Sequence, residues 1–339
     1  MKFNYKNILV TAGCVASVMV AANATAAKTY PARTITDTVT WSAGGGTDSI
    51  NRMLMAEMSK TLDVNIKVTN KTGGVAGSIG MSSVLAKRAD GYNIVGIADS
   101  NVTAAVNGGW DKKFDVWYPY IVGGSPDLVS VSADSPYKTL EELIAAAKKE
   151  PGEIKAGAGG SGSIHHINLL GLEKGTDISF KFVPYPGSAP SQTAAATGEI
   201  SVVITSAAEQ SALLRAGKLR PLAMLTKDSF TISGVGEIPS AFDAYPQLKD
   251  FPLVVQSIGF AVHASASDEV KNTLAEAFKK AMASQEVKTW ADKNLYTLSG
   301  AYGEEATEIF SQLESTFAWT LWELGAAKFN PEKFGIPKP

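Results

Sequence analysis

Ala43-Gly44-Gly45-Gly46-Thr47-Asp48 is the stretch on which the reading of this chain turns. Before it, Ile35-Thr36-Asp37-Thr38-Val39-Thr40-Trp41 alternates as a short strand; after it, Ile50, Met53, Leu54, Met58 and Leu62 recur at helical spacing. A triple-glycine turn between a strand and a helix lets the backbone come close to a ligand. The helix start adds unpaired N–H groups and the positive end of a dipole, a combination that favours an anion. Thr47 or Asp48 is expected as the N-cap, and the plainer alternative is that the glycines only make a tight turn.

Outward from this turn the same unit repeats. Residues 64–68 alternate as a second strand, and Asn70-Lys71-Thr72-Gly73-Gly74-Val75-Ala76-Gly77-Ser78-Ile79-Gly80 is a second glycine-rich turn before a helix at 79–88. Asp90-Gly91-Tyr92 then leads into a strand at 93–98. This β-α-β-α-β order predicts a parallel sheet with helices on both faces, with ligands bound beyond the carboxyl ends of the strands. From about residue 129 a similar unit begins. It holds a capping box, Thr139-Leu140-Glu141-Glu142, and a hydroxyl-rich turn, Gly159-Gly160-Ser161-Gly162-Ser163-Ile164-His165-His166. A rigid loop follows, Pro184-Tyr185-Pro186-Gly187-Ser188-Ala189-Pro190, with strands at 199–205 and 221–226. Residues 227–250 are punctuated by Gly234, Gly236, Pro239 and Pro246 and are expected as loop, before a strand at 253–262 that returns to the first unit. The expected domains are therefore a first lobe of 27–128 and 228–339, a second lobe of 129–227, and two crossings that form a hinge.

Composition is that of an ordinary globular protein, at 45% hydrophobic, 19% charged and 9% aromatic over 339 residues. Residues 1–26 combine Lys2 and Lys6, an apolar run at 8–22 and Ala24-Thr25-Ala26, which together describe a secretory signal peptide cleaved near Ala26. Removing its two lysines moves the formal charge from −2 to −4, so the footprint of a nucleic-acid-binding protein is absent. The single cysteine, Cys14, lies in this segment; acylation there is the second choice, since Thr11 stands where a larger aliphatic is usual.

Taken together, these stretches resemble the extracytoplasmic solute receptors of tripartite tricarboxylate transporters, the Bug-type or TctC-like receptors. The resemblance is carried by Tyr30-Pro31 with Ile35, Gly44-Gly45-Gly46-Thr47-Asp48 with Arg52, Gly74-Val75-Ala76-Gly77-Ser78-Ile79-Gly80 and Ala89-Asp90-Gly91-Tyr92. Gly160-Ser161-Gly162-Ser163 with His166, Val183-Pro184-Tyr185-Pro186-Gly187-Ser188-Ala189-Pro190 and Ala216-Gly217-Lys218-Leu219-Arg220 complete it. It implies an α/β, two-lobed type II periplasmic binding protein fold with a ligand cleft between the lobes. It also implies a small organic acid, a carboxylate, as ligand, held largely by main-chain N–H groups and hydroxyls and passed to two integral membrane components. The receptor is then periplasmic, a monomer, without enzyme activity, cofactor or metal. Ser201 and Thr205 stand where many relatives carry aspartates and Pro186 where a lysine is frequent, which suits a ligand with negative charge or an apolar body at its far end.

The expected ligand contacts are Trp41, Gly45, Gly46, Thr47 and Asp48 from the first turn, Gly77 and Ser78 from the second, and Ser161, Ser163, His166, Tyr185, Gly187 and Thr205 from the second lobe. Helix capping is the alternative for the serines, a structural hydrogen bond for His166, and a salt bridge for Arg52. A Cβ at Gly45 or Gly77 is expected to abolish binding while leaving the fold largely intact. Trp110, Trp117, Trp290, Trp319 and Trp322 are expected in packing. The rival is a secreted serine hydrolase: Ala76-Gly77-Ser78-Ile79-Gly80 resembles a nucleophile elbow, with His165, His166 or His263 as base. A nucleotide site lacks a Gly-Lys-Ser/Thr, and adjacent His165 and His166 have no spaced partner for a metal.

Overall fold

The computed structural model describes residues 29–251 and 255–339; the expected signal peptide, Cys14 and the start of the 253–262 strand lie outside the described residues. The first unit is β1 (Ile35–Val39), α1 (Gly46–Leu62), β2 (Ile66–Asn70), α2 (Ser78–Leu85), β3 (Asn93–Ala98) and β4 (Trp117–Gly124). The second runs β5 (Asp127–Ser132), α3 (Leu140–Lys149), β6 (Lys155–Ala158), α4 (Ile164–Thr176), β7 (Lys181–Pro184), α5 (Ser188–Ala196), β8 (Val202–Ser206), α6 (Ala207–Arg215) and β9 (Leu219–Met224). It is followed by β10 (Phe230–Ile232), β11 (Gly236–Ile238) and α7 (Ala241–Ala244). The chain then returns through β12 (Ile258–His263), α8 (Asp268–Ala283), α9 (Gln285–Lys293), β13 (Thr297–Leu298) and α10 (Gly303–Glu323).

Among the described residues two large sheets form, in the orders β13-β4-β12-β3-β1-β2 and β7-β6-β8-β5-β9. β1 pairs in parallel with β2 and β3, as the β-α-β-α-β rhythm predicts, while β12 inserts antiparallel between β3 and β4. In the second sheet β6 is parallel to β7 and β8, and β5 is antiparallel to β8 and β9. Helix starts follow local rules. Ser163, Ser206, Ser267 and Ser284 each accept a backbone N–H from the residue three positions on, capping α4, α6, α8 and α9. The apolar stripe of α1, Ile50, Leu54, Met55 and Met58, is buried against Tyr120, Phe260 and Phe278. Each such side chain removed from water contributes about 1.5–3 kcal/mol. Tyr120 stacks on Phe260 at 4.5 Å with the rings 3° from parallel, which ties β4 to β12 in the core.

The segment expected as loop at 227–250 contains a hairpin and a short helix instead. Ile232 and Ile238 pack with Leu128, Val203 and Met224, and Ala241 and Leu248 pack with Val129, Leu143 and Leu169. Its glycines and prolines break the segment into pieces, but its few apolar residues hold each piece on the second sheet. The chain leaves the first sheet at Ser125–Pro126 and rejoins it in β12; Ala241 and Leu248 still pack on the second sheet, past the expected second crossing. The two connections touch: a Cβ at Gly124 would lie 1.7 Å from the Gln256 carbonyl oxygen, so only glycine permits the contact. Trp117 is 2% exposed as a core residue should be, whereas Trp322 is 40% exposed and does not join a core. The tail lies on α10, where Ser315 donates to the Pro337 carbonyl at 2.7 Å.

Candidate functional site

The cleft forms where helix starts from the two sheets face each other. Gly45, in extended backbone, is the N-cap of α1, and no side chain of its own segment caps the helix. Neither Thr47 nor Asp48 holds that position, because the helix begins one residue before Thr47. Asp48 instead turns back to accept the Gly44 N–H at 2.9 Å and pairs with Arg52 and Asn70, so it braces the turn from outside the cleft. The Gly46 N–H is taken by a carboxylate from the other sheet: Glu209 Oε1 accepts it at 2.8 Å. Glu209 is placed for this by its own capping box. Its Oε2 accepts from the Ser206 N–H and hydroxyl at 3.0 and 2.9 Å, leaving Oε1 to reach across.

Behind Glu209 lies a buried ionic chain. His165, second residue of α4, holds Asp127 at 2.8 Å through Nδ1 and stands 3.4 Å from Glu209 Oε2 through Nε2. Burial opposes protonation of His165, but the charges of Asp127 and Glu209 outweigh it and raise its pKa to about 9, so it is an imidazolium at neutral pH. Asn168 donates to the other Asp127 oxygen at 2.8 Å. Asp99, at the end of β3, accepts from Ser100 and from the Ser257 N–H; burial pushes its carboxyl up to about 6. Ser100 Oγ in turn accepts the Ile164 N–H at 3.0 Å, and Thr103 donates to the Gly162 carbonyl at 2.8 Å. With the Glu209 bond, these contacts hold the cleft closed.

The closed cleft is nearly filled by its own side chains, with about 20 Å³ of free space, and is lined by Trp41, Gly45, Gly46, Thr47, Ser100, Gly159, Ser163, His165, Gly187, Ser188, Glu209 and Gln256. A neighbouring hollow of about 200 Å³ is lined by Trp41, 73–77, Gly160, Ser161, Tyr185 and its flanking prolines. Trp41 lines both. The expected contacts thus divide: Trp41, Gly45, Gly46, Thr47, Ser163 and Gly187 on the first cleft, and Gly77, Ser161 and Tyr185 on the second. Ser163 is wall and helix cap at once, accepting the His166 N–H at 3.2 Å.

The remaining expected contacts lie elsewhere. Ser78 is 3% exposed, tucked beneath Gly74 and Gly109. Its three candidate bases have other partners: His165 has Asp127, His166 Nδ1 accepts the Gly162 N–H at 3.1 Å, and His263 meets Ser265 at 2.8 Å. His166 also stacks on Phe182 at 4.0 Å, and burial lowers its pKa to about 4, the hydrogen-bonded structural role. Thr205 is fully buried under Gln192, and Ser201 faces solvent, so neither former aspartate position touches the cleft. The acid that lines the cleft is Glu209, with Asp127 and Asp99 buried behind it; sequence reasoning missed all three, as it missed His165, Ser100, Ser188 and Gln256. Ser206-x-x-Glu209 is legible as a capping box, but nothing local says that Glu209 also reaches the opposite helix. No helix among the described residues is long and apolar enough to cross a membrane.

Two α/β lobes joined by paired crossings and closed on a polar cleft at helix starts define a solute-binding receptor. The family model described as the tripartite tricarboxylate transporter family receptor matches residues 50–300, and the chain belongs to that family. A protein of Cupriavidus necator, "UPF0065 protein in gbd 5'region", is 32% identical over 265 residues, 76% of each chain. Protein BugT of Bordetella pertussis is 28% identical over 273 residues, 78% of each. Among solved structures, a TctC solute binding protein from Polaromonas is 28% identical, with 87% of this chain and 100% of that one aligned at a TM-score of 0.61. The periplasmic binding protein BugD aligns over 88% and 99% at 0.80 with 21% identity. MatC from Rhodopseudomonas palustris with bound malate aligns over 86% and 100% at 0.78 with 20% identity. The chain is a Bug-type, TctC-like receptor and not an enzyme, which removes the hydrolase reading of Ser78.

Proposed function

We propose that this receptor captures a small organic carboxylate in its interlobe cleft and delivers it to the two integral membrane components of a tripartite transporter. The observation that carries the reading is the cleft itself, lined by the α1 N-terminus and the hydroxyls of Thr47, Ser163 and Ser188. Helix starts and hydroxyls supply donors for an anion. Malate bound to MatC supports the ligand class. The proposed setting is the periplasm, reached after cleavage near Ala26, and the proposed working form is a monomer. The first lobe is assigned 29–124 and 258–339 and the second 127–250, past the boundary at 227, because Ile232, Ile238 and Leu248 pack on the second sheet. The proposed contacts are Trp41, Gly45, Gly46, Thr47, Ser163 and Gly187, with Gly77, Ser161 and Tyr185 around the adjoining hollow.

The test is a thermal-shift screen of ligand-stripped protein, from Lys28 onward, against mono-, di- and aromatic carboxylates beside nucleotides, metal salts and esters. A ligand at a hundred times its Kd stabilises the folded state by about 2.7 kcal/mol, enough for a clear shift. The expected result is a shift with acids, with small-angle scattering reporting a more compact particle on saturation. A shift confined to nucleotides, metals or esters refutes the reading.

A further inference from the structure

Glu209 occupies the position that a ligand carboxylate is expected to take. Its Oε1 already accepts the Gly46 N–H at 2.8 Å, so this helix start is satisfied from within the protein. A ligand carboxylate at the same N–H would meet Glu209 across hydrogen-bond distance in a water-poor site, where two like charges disfavour each other's ionisation. The surrounding charge is also anionic: Asp99, Asp127 and Glu209 face a single imidazolium, His165, and that imidazolium is held between Asp127 and Glu209.

An independent observation points the same way. Gln256, on the returning crossover, lines the cleft and is 7% exposed, and its Oε1 has no hydrogen-bond partner among the described residues. Gln256 Nε2 donates to Glu209 Oε2 at 3.5 Å and stands 3.4 Å from His165 Nε2, which leaves Oε1 as the free end of the amide. A buried acceptor without a donor is disfavoured, and a ligand N–H relieves it. Both side chains therefore offer lone pairs to the space that the ligand fills.

We infer that the ligand is an organic acid that also bears a cationic nitrogen, with Glu209 and Gln256 Oε1 receiving the nitrogen and the hydroxyls of Ser163 and Ser188 facing the carboxylate. The carboxylate half rests on the function proposed above; the nitrogen half does not. The two hydroxyls converge, since a Cβ built on Gly159 would stand 3.4 Å from Ser188 Oγ and 3.7 Å from Ser163 Oγ.

The experiment is calorimetric titration of the ligand-stripped receptor with acids matched in length: glutarate, glutamate and 5-aminopentanoate, then adipate, 2-aminoadipate and 6-aminohexanoate. The expected result is that an amine-bearing member binds at least tenfold tighter than its amine-free partner. Glu209→Gln and the shape-preserving Gln256→Leu, each checked for folding by circular dichroism, then each reduce the preference for that member over its amine-free partner at least tenfold. Tight binding of glutarate or adipate with weaker binding of the amines overturns the nitrogen inference and leaves the carboxylate reading standing. No binding by either series overturns both. Amine binding that neither substitution changes overturns the roles given to Glu209 and Gln256.

Discussion

Asp127→Asn removes the anion that keeps His165 protonated while preserving side-chain shape. In the folded protein the His165 pKa stands at about 9 against an ordinary 6.5. At 1.36 kcal/mol per unit this difference corresponds to about 3 kcal/mol, within the range for breaking one half of a buried pair. The sign follows from the direction. A histidine raised above its unfolded pKa contributes fully below about pH 6.5, and the contribution fades as pH rises through about 9. The other ionisable groups that face it, Glu209 and Asp99, remain in the variant and retain part of the effect. The amide introduced by the substitution would also stand against the donor of Asn168, now 2.8 Å from Asp127 Oδ2, a cost that does not depend on pH. The expected loss is therefore about 3 kcal/mol at pH 6, falling to about 1 kcal/mol near pH 10. Equilibrium urea unfolding of both proteins at the two pH values measures it. A loss equal at pH 6 and pH 10, or below about 1 kcal/mol at pH 6, would refute the ion-pair account.

Asp37 is fully buried in β1, and burial first, then the Asp48 charge, push its carboxyl up to about 8. An acid raised in this way favours the folded state least once pH exceeds about 8, so Asp37→Asn should flatten the decline in stability between pH 4 and pH 8, measured by urea midpoints; parallel curves would contradict it. Asp48→Ala should cost about 1–2 kcal/mol because it frees the Gly44 N–H and Asn70, whereas Arg52→Ala should cost under about 1 kcal/mol, since Arg52 is half exposed; equal losses would show that the turn does not depend on Asp48. Gly77→Val should destabilise by roughly 2–5 kcal/mol, because φ is +72° and the new Cβ would stand 2.6 Å from Asn101 Nδ2 and 2.8 Å from Thr40 Cβ. Gly45→Ala, whose Cβ finds the Ser42 oxygen at 3.4 Å, should leave the melting temperature nearly unchanged; the opposite order of stabilities would reverse this placement.

That contrast revises the expectation that a Cβ at either glycine abolishes binding without harming the fold. Both glycines lie in turns of the same kind, yet a Cβ at Gly45 would make only ordinary contacts, while Gly77 is packed against Thr40 and Asn101. The residue type announces backbone freedom; the neighbours that use the space come from strands and turns distant in sequence. The same division runs through the site. The parallel strands, the α1 stripe, Ser163 at the start of α4 and the Asp48–Arg52 pair were legible, because each depends on residues within a few positions or on a repeating period. Trp41 was placed near the ligand from its position just before the glycine turn, and it lines both hollows.

Of the two adjacent histidines the sequence favoured His166, and the structure turns His165 into the cleft. One step along a helix start rotates a side chain by about 100°, and only the position of Asp127 on β5 decides which of the two meets an acid. Asp127, Glu209 and Gln256 belong to a strand, a helix and a crossover far apart in the chain, and their chemistry arises where the two sheets' elements meet. The chain by itself determined the α/β repeat, the helix caps and the glycine turns, since periodicity, capping and backbone freedom are local. Which carboxylate sits on the first helix start, and which acceptors line the cleft, only the tertiary structure decided, because those contacts depend on how the two sheets face each other.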